Sequence, residues 1–497
     1  MDIAFEKKSL PYLKTWVNRA QTQEQTQEVR LPEGMPDIGN VVSSWAQVIL
    51  RSKEWRGDRI SVGGGVMVWV MYLPEEENIP QSVAAWMPFQ MKWEIPPAPH
   101  DGTILVRPFL QSVDARSLSA RKLMVRATFG LGMEGLVADR AELFYPENLP
   151  EDIRILERTY PMCLPAGAGE KPFNLEESYP AIQPKPAQLI RYTLTPEITE
   201  WKLMADKLVF RGNAKLYALY RCDEGHLHTW NQEIPFSQYA ELDREYDDTC
   251  RVDISCVLTN LELDLMEEGR LVLKSGICTQ YRIFEETMVR LVEDAYSPTR
   301  QVLPQTEQLE LPAILDNQTQ LCRVEQTVET DASKVLDLAF YADEPRLMGE
   351  GDHREIQVPG MFQLLYLDPE DNYQSTNAYW EEQIPLEIAE TGKLALEASP
   401  VGSPTAGLGS NGVSMQSDLA VFMQTVSDRG IPMVTGMDFG EEIKKDPNRP
   451  SLILRRAGEQ TLWEIAKETG ASVEQICTAN ALEGEPGYDQ MLLIPIP

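Results

Sequence analysis

Apolar and polar positions alternate along most of this chain with a period of two, the spacing of a strand that buries one face. In Lys122–Leu131, KLMVRATFGL, the residues Leu123, Val125, Ala127, Phe129 and Leu131 fall on one side. In Arg251–Leu258, RVDISCVL, the residues Val252, Ile254, Cys256 and Leu258 do the same. The stretch Val66–Tyr72, VMVWVMY, is apolar on both alternating faces and predicts a strand covered on both sides. The period changes only near the C-terminus. There Leu462, Ile465 and Ala466 recur at i, i+3 and i+4 and predict a short helix, with a second carrying Val473 and Ile476.

One order of features occurs three times: an apolar strand ending in Tyr, a polar turn, a Trp, then a Pro followed by an apolar residue. It is found in Ser61–Gln90, Asn213–Ser237 and Gly360–Glu387. The tyrosines are Tyr72, Tyr220 and Tyr366, and the tryptophans Trp86, Trp230 and Trp380. The polar stretches are rich in Pro, Asp, Asn, Glu or Gly, which is hairpin-turn chemistry. A triplicated antiparallel β-sandwich-like unit is expected. Its copies are expected at residues 28–160, 189–296 and 317–440, after an N-terminal segment 1–27. Proline-rich stretches suggest linkers at 161–188, 297–316 and 441–450, and Gly/Ser-rich sequence suggests a flexible insertion near 399–416 in the third copy.

Charge narrows the partners. The 497 residues carry 45 basic and 77 acidic side chains, a formal net charge of −32. Nucleic acid repels such a chain, and so do anionic membranes, whereas a protein with a basic face is attracted. No run reaches the length of a membrane span and the N-terminus lacks the apolar core of a signal peptide, so a cytoplasmic protein is expected. Seven scattered cysteines without a CxxC pair fit a reducing compartment.

No catalytic, cofactor or metal site is expected. Cys222, Asp223, His226 and His228 in CDEGHLH are compatible with a metal, but the corresponding turns LPEEENIPQ and LDPEDNYQS hold neither Cys nor His. SVGGGV, Ser61–Val66, leads into a strand instead of a helix, and so lacks the helix N-terminus that a phosphate loop needs; a bulge or close strand crossing is the better reading. Acidic clusters such as Glu75–Glu77 read as solvated surface. The chain is expected not to be an enzyme.

Residues 451–497 follow a different plan. SLILRR is a short strand. Thr461 and Glu464 form a capping box ahead of the first helix, Gly470 suits its left-handed end, and Ser472 with Gln475 suggests a second box. MLLIPIP closes with a strand, giving βααβ. This stretch resembles the LysM domain in its T-L-W-E-I-A, S-V-E-Q-I, A-N and L-L-I-P. The resemblance implies a groove lined by Gly458, Glu459, Gln460, Thr461, Asn480 and Ala481, able to hold N-acetylglucosamine polymer such as peptidoglycan. The loop Gly458–Leu462 has one residue more than the family's usual Gly-Asp-Thr-Leu and lacks its Asp. The segment holds three basic and seven acidic residues. Trp463 lies beside the apolar stripe and is a further candidate anchor for a protein partner.

The repeated unit resembles the SPOCS domain of spore-coat proteins in endospore-forming Clostridia. The likeness is clearest at Leu31–Gly64, opening LPEGMPDI, and in the other two copies rests on the Tyr-turn-Trp-Pro core. Three such units followed by a LysM domain imply a mainly β protein of spore-coat morphogenesis. By that resemblance it is a non-enzymatic adaptor in the mother cell, at the forespore surface, docking through the LysM domain to the spore-coat morphogenetic ATPase of the coat basement. The alternative is a peptidoglycan-binding protein of the spore cortex or cell wall.

Overall fold

In the computed structural model, residues 3–349, 354–385, 392–409, 412–443 and 450–496 are described. His353, Leu386 and Glu387 at the end of the third motif, Ser410–Asn411 of the expected insertion and most of the 441–450 linker lie outside them.

The strands come in three sets with one wiring. The first set is β1 (Phe5–Arg30), β2 (Ile38–Arg56), β3 (Arg59–Pro74), β4 (Gln81–Glu94), β5 (Thr103–Ser119) and β6 (Lys122–Pro146). It forms sheets ordered β2-β3-β4 and β1-β6-β5. The second set is β7 (Arg154–Tyr179), β8 (Pro186–Met204), β9 (Lys207–Cys222), β10 (Leu227–Glu241), β11 (Arg251–Leu265) and β12 (Leu271–Tyr296), with sheets β8-β9-β10 and β7-β12-β11. The third set interrupts the same path: β13 (Arg300–Leu309), β14 (Ile314–Val328), β15 (Lys334–Ala342), β16 (Arg346–Met348), β17 (Glu355–Leu367), β18 (Tyr373–Pro385), β19 (Lys393–Gly409), β20 (Gly412–Val426) and β21 (Ile431–Glu442). Here β15 and β16 both pair with β17, which pairs with β18; β14-β20-β19 forms the second sheet, and β13 pairs with β21. In each set the two sheets share one apolar core.

Two features of the sequence reading need correction. The expected N-terminal segment and the linkers expected at 161–188 and 297–316 are largely strand: β1, β7 and β13 open the three units, β14 follows β13, and all four lie at a sheet edge. Edge strands tolerate prolines such as Pro161, Pro165 and Pro172, because the missing N–H faces outward. The span 399–416 likewise falls mostly in β19 and β20. Secondly, the three motif tryptophans are not at one register: Trp86 faces Met67, Trp230 faces Ala218 and Trp380 faces Gly360, five, two and six residues before the respective tyrosines. Pro88 and Pro235 do correspond, each facing the residue seven before its tyrosine.

The three units close into a ring. In each, the first strand of the meander bulges at the same place, skipping Val42, Ile190 and Leu336 just after the residue opposite the motif tyrosine. The bulge turns those carbonyls out of the ladder. The preceding unit round the ring uses two of them: Ser82 of the first unit donates to the Ile190 carbonyl at 2.6 Å, and Ser375 of the third donates to that of Val42. Ser82 and Ser375 are equivalent, facing Met71 and Leu365. Trp69, Tyr217 and Gln363 are likewise equivalent, and each reaches the following unit. Trp69 packs edge-on against Tyr192 with ring centres 5.0 Å apart, Tyr217 donates to Asp337, and Gln363 donates to the Ser44 carbonyl at 2.7 Å.

That closure explains VMVWVMY. Val66, Val68, Val70 and Tyr72 point into their own unit, while Trp69 and Met71 join Ile190, Leu219, Ala339 and Leu365 in a core shared by all three. The far ends of the long ladders also meet: Tyr12, Leu143, Met162, Leu291, Leu309 and Met433 pack together. SVGGGV is a strand under close approach; a Cβ on Gly65 would lie 2.2 Å from the Trp86 ring.

Between the units lies a second polar junction. Arg282 donates to Glu134 at 2.8 Å and to Asp253 at 3.1 Å, and Arg107 pairs with Glu397 at 3.0 Å. Burial pushes Asp253, Glu344 and Glu397 above the usual carboxylate range, and the two guanidiniums pull only part of the way back.

Candidate functional site: the C-terminal module and its mount

After the third unit the chain forms β22 (Leu452–Arg456), α1 (Leu462–Thr469), α2 (Val473–Asn480) and β23 (Met491–Pro495). β22 and β23 pair antiparallel, with Leu454 opposite Leu493. The helices start where the sequence chemistry puts them. Thr461 Oγ1 accepts the Glu464 amide at 3.2 Å, and Glu464 accepts the Thr461 amide at 2.8 Å. Gly470 ends α1 in the left-handed region, with φ 67°. Ser472 caps α2 by accepting the Gln475 amide at 3.1 Å, but Gln475 makes no return bond of a second box. Leu462, Ile465, Ala466, Ile476, Leu492 and Ile494 form the core.

The seven candidate residues take different roles. Gly458, at φ 67°, donates its amide to the Tyr488 carbonyl at 2.9 Å. Glu459 is exposed. Gln460 accepts from Arg455 and donates to Glu468 at 3.3 Å. Thr461 caps α1. Asn480 clamps β23: its Nδ2 donates to the Ile476 and Leu493 carbonyls at 2.8 and 2.7 Å, and its Oδ1 accepts the Leu493 amide at 2.7 Å. Ala481 follows in a left-handed conformation at φ 50°. The loops on either side of the expected groove thus bond to each other, and Glu485 reaches across to accept the Leu462 amide at 2.8 Å. One of the free amides at the start of α1 is therefore already satisfied by an anion.

Trp463 stands apart from the other six. Its Nε1 donates to Asp294 Oδ2 at 2.8 Å, and its ring packs edge-on against Tyr296 with centres 4.9 Å apart. Lys467 Nζ meets both Asp294 oxygens at 2.7 Å. Tyr296 is buried in the module's core and donates to the Ala471 carbonyl at 2.7 Å; burial pushes its hydroxyl up to about 12. The module follows the third unit in sequence yet is mounted on β12 of the second. Asp294 and Tyr296, in EDAY, were not foreseen. An acid and a tyrosine at the end of an alternating strand carry no local mark of a tertiary contact.

Residues 186–266 match the family model described as SipL, SPOCS domain. The match supports a SPOCS-domain protein. It covers β8 to β11, the meander of the second unit and the strand after it. The sequence likeness had read most clearly in the first unit, at LPEGMPDI, which lies in the connection between β1 and β2. No curated protein and no solved structure matches the chain. The SPOCS match points to a role connected with sporulation. No helix among the described residues is long and apolar enough to cross a membrane, and they contain no group of three or more His, Cys, Asp or Glu arranged to hold a metal.

Proposed function

We propose that this chain is a non-enzymatic adaptor of spore-coat morphogenesis. It works in the mother cell at the forespore surface, and its C-terminal module is of the LysM type and docks the coat-basement ATPase. The SPOCS match over residues 186–266 carries the reading. Two further observations support it. The three units form a ring whose centre is filled by side chains, which suits a rigid platform. The module is held on that platform by Asp294 and Tyr296 rather than trailing from it.

Glycan binding receives less support, because Glu485 and the Tyr488 carbonyl take up amides of the expected groove. The test is co-purification of the full chain with the coat-basement ATPase, beside the chain lacking 451–497. Adaptor action through the module predicts a complex that is lost on truncation. A complex that survives truncation, or retention of the full chain on purified peptidoglycan with no ATPase complex, would be contrary to it.

A further inference from the structure

The module has three sides, and two are spoken for. The helix side around Trp463, Lys467 and Ala471 is mounted on β12. The groove loops are bonded to each other and to Glu485. The third side is the outer face of the β22–β23 ribbon. Strand alternation sends Ile453, Leu492 and Ile494 inward to the helices. It sends Leu452, Leu454, Met491 and Leu493 outward, where they are 52, 64, 50 and 36% exposed. The register makes these four one patch: Leu454 faces Leu493, while Leu452 and Met491 flank that pair on the same face, where Arg456 opposite Met491 is paired with Asp489 at 3.5 Å. Four large apolar side chains on a ribbon with five residues in each strand are more than scattered surface residues explain, and such contiguous patches mark interaction sites. The sheet is two-stranded, so among the described residues both outer edges also lack a strand neighbour.

Charge identifies the occupant. A second copy would bring another net −32 to the contact and be repelled. The module itself holds seven acids against three bases. A protein with an apolar strip rimmed by Lys or Arg would bury the leucines and meet complementary charge. We infer that the outer face of the β22–β23 ribbon, and not the groove, is where the module docks a protein segment with an apolar face and a basic rim. This rests on the reading of the module as a protein-docking domain.

The test uses the full chain and two probes: purified coat-basement ATPase, and a heptapeptide of alternating leucine and lysine. The ribbon variant is L452T/L454T, which puts strand-favouring β-branched residues in place of the leucines; the groove variant is E459A/Y488A. Expected are roughly tenfold or greater losses of affinity for both probes in the ribbon variant. Its melting temperature stays unchanged, the groove variant binds normally, and peptide-induced NMR shifts centre on β22 and β23. The inference is overturned if the ribbon variant binds the ATPase as wild type does. It is equally overturned if the peptide shifts fall elsewhere, or if sedimentation shows a dimer that the ribbon variant dissolves. Should wild type fail to bind the ATPase, the adaptor reading falls, and the peptide arm alone decides the surface.

Discussion

Arg191 and Asp337 occupy the same position in the second and third units, one residue past the shared bulge, and meet across the ring at 2.7 Å. Both side chains are buried. The guanidinium lies between the Trp45 and Tyr217 rings, 5.2 and 4.7 Å from their centres, and Tyr217 donates to Asp337 as well. In the first unit the position is Ser43, which accepts from Gln363 at 3.2 Å. One position thus holds a neutral, a basic and an acidic residue, and only one pairing of neighbours satisfies the charges. D337A strands a buried guanidinium and should cost about 3–5 kcal/mol, while R191M/D337L, which removes both charges, should recover most of that. Urea unfolding of the three proteins checks it.

The Arg107–Arg282 junction sets a pH dependence. Glu397 prefers its proton more in the folded chain than in the unfolded one, because burial opposes its charge. A folded-state value raised in this way gives stability that is complete below the ordinary carboxylate range and lost as pH rises through the raised one. E397Q removes that dependence. Its stability relative to wild type should therefore improve from about pH 4.5 to pH 7.5, whatever the offset from losing the Arg107 contact. Unfolding curves across that range would show the opposite slope if Arg107 outweighed burial.

How much of this was legible depended on which neighbour covered each residue. Period-two patterns marked inner strands such as β6, whose Leu123 to Leu131 face is fully buried. The doubly apolar β3 announced a second cover, although nothing local said that the cover was two other units. The opening strands were illegible because an edge strand of a three-stranded sheet keeps one ladder side and much of one face in water, and so reads like linker. In β11 the alternation holds, with Val252, Ile254, Cys256 and Leu258 packing in their own unit, but Val257 on the other face packs into the first unit's core, a cover the period did not show. The helices of the module were legible down to the caps, because capping is chemistry between residues three apart. Its mount was not, because Asp294 and Lys467 are 173 residues apart.

The mount can be released without unfolding either part. Asp294 holds Trp463 and Lys467, and Tyr296 adds a hydrogen bond and an aromatic contact. In D294A/Y296F the Trp463 indole loses its acceptor and the Ala471 carbonyl its donor. The variant should lose about 2–4 kcal/mol of coupling between module and ring. In ¹⁵N relaxation the amides of α1 and α2 should then tumble faster than those of the ring, whereas in wild type the two should share one correlation time. Equal correlation times in the variant would mean that other contacts hold the module.

Gly65 tests the close approach that SVGGGV serves. Its strand leaves no room beneath the Trp86 ring, where a Cβ would sit at 2.2 Å. G65A should cost about 1–3 kcal/mol through overpacking. If the ring is the cause, G65A/W86L should recover part of the loss, and thermal melting of the single and double variants decides. Recovery would be absent if the strand backbone, and not the indole, were the obstacle.

Asn480 separates folding from binding in the module. Resemblance makes it a groove residue, but its amide is spent on three bonds that tie α2 to β23. N480A should lower the module's stability by about 2 kcal/mol, because two strand groups lose their partners. N480D should do at least as much harm at neutral pH, since a carboxylate can accept the Leu493 amide but only repels the Ile476 and Leu493 carbonyls. Trp463 fluorescence during denaturation reads both. Any loss of partner or glycan binding in these variants would then follow the unfolded fraction and be reversed by cooling or a stabilising osmolyte. A direct ligand contact would leave affinity low in the fully folded protein.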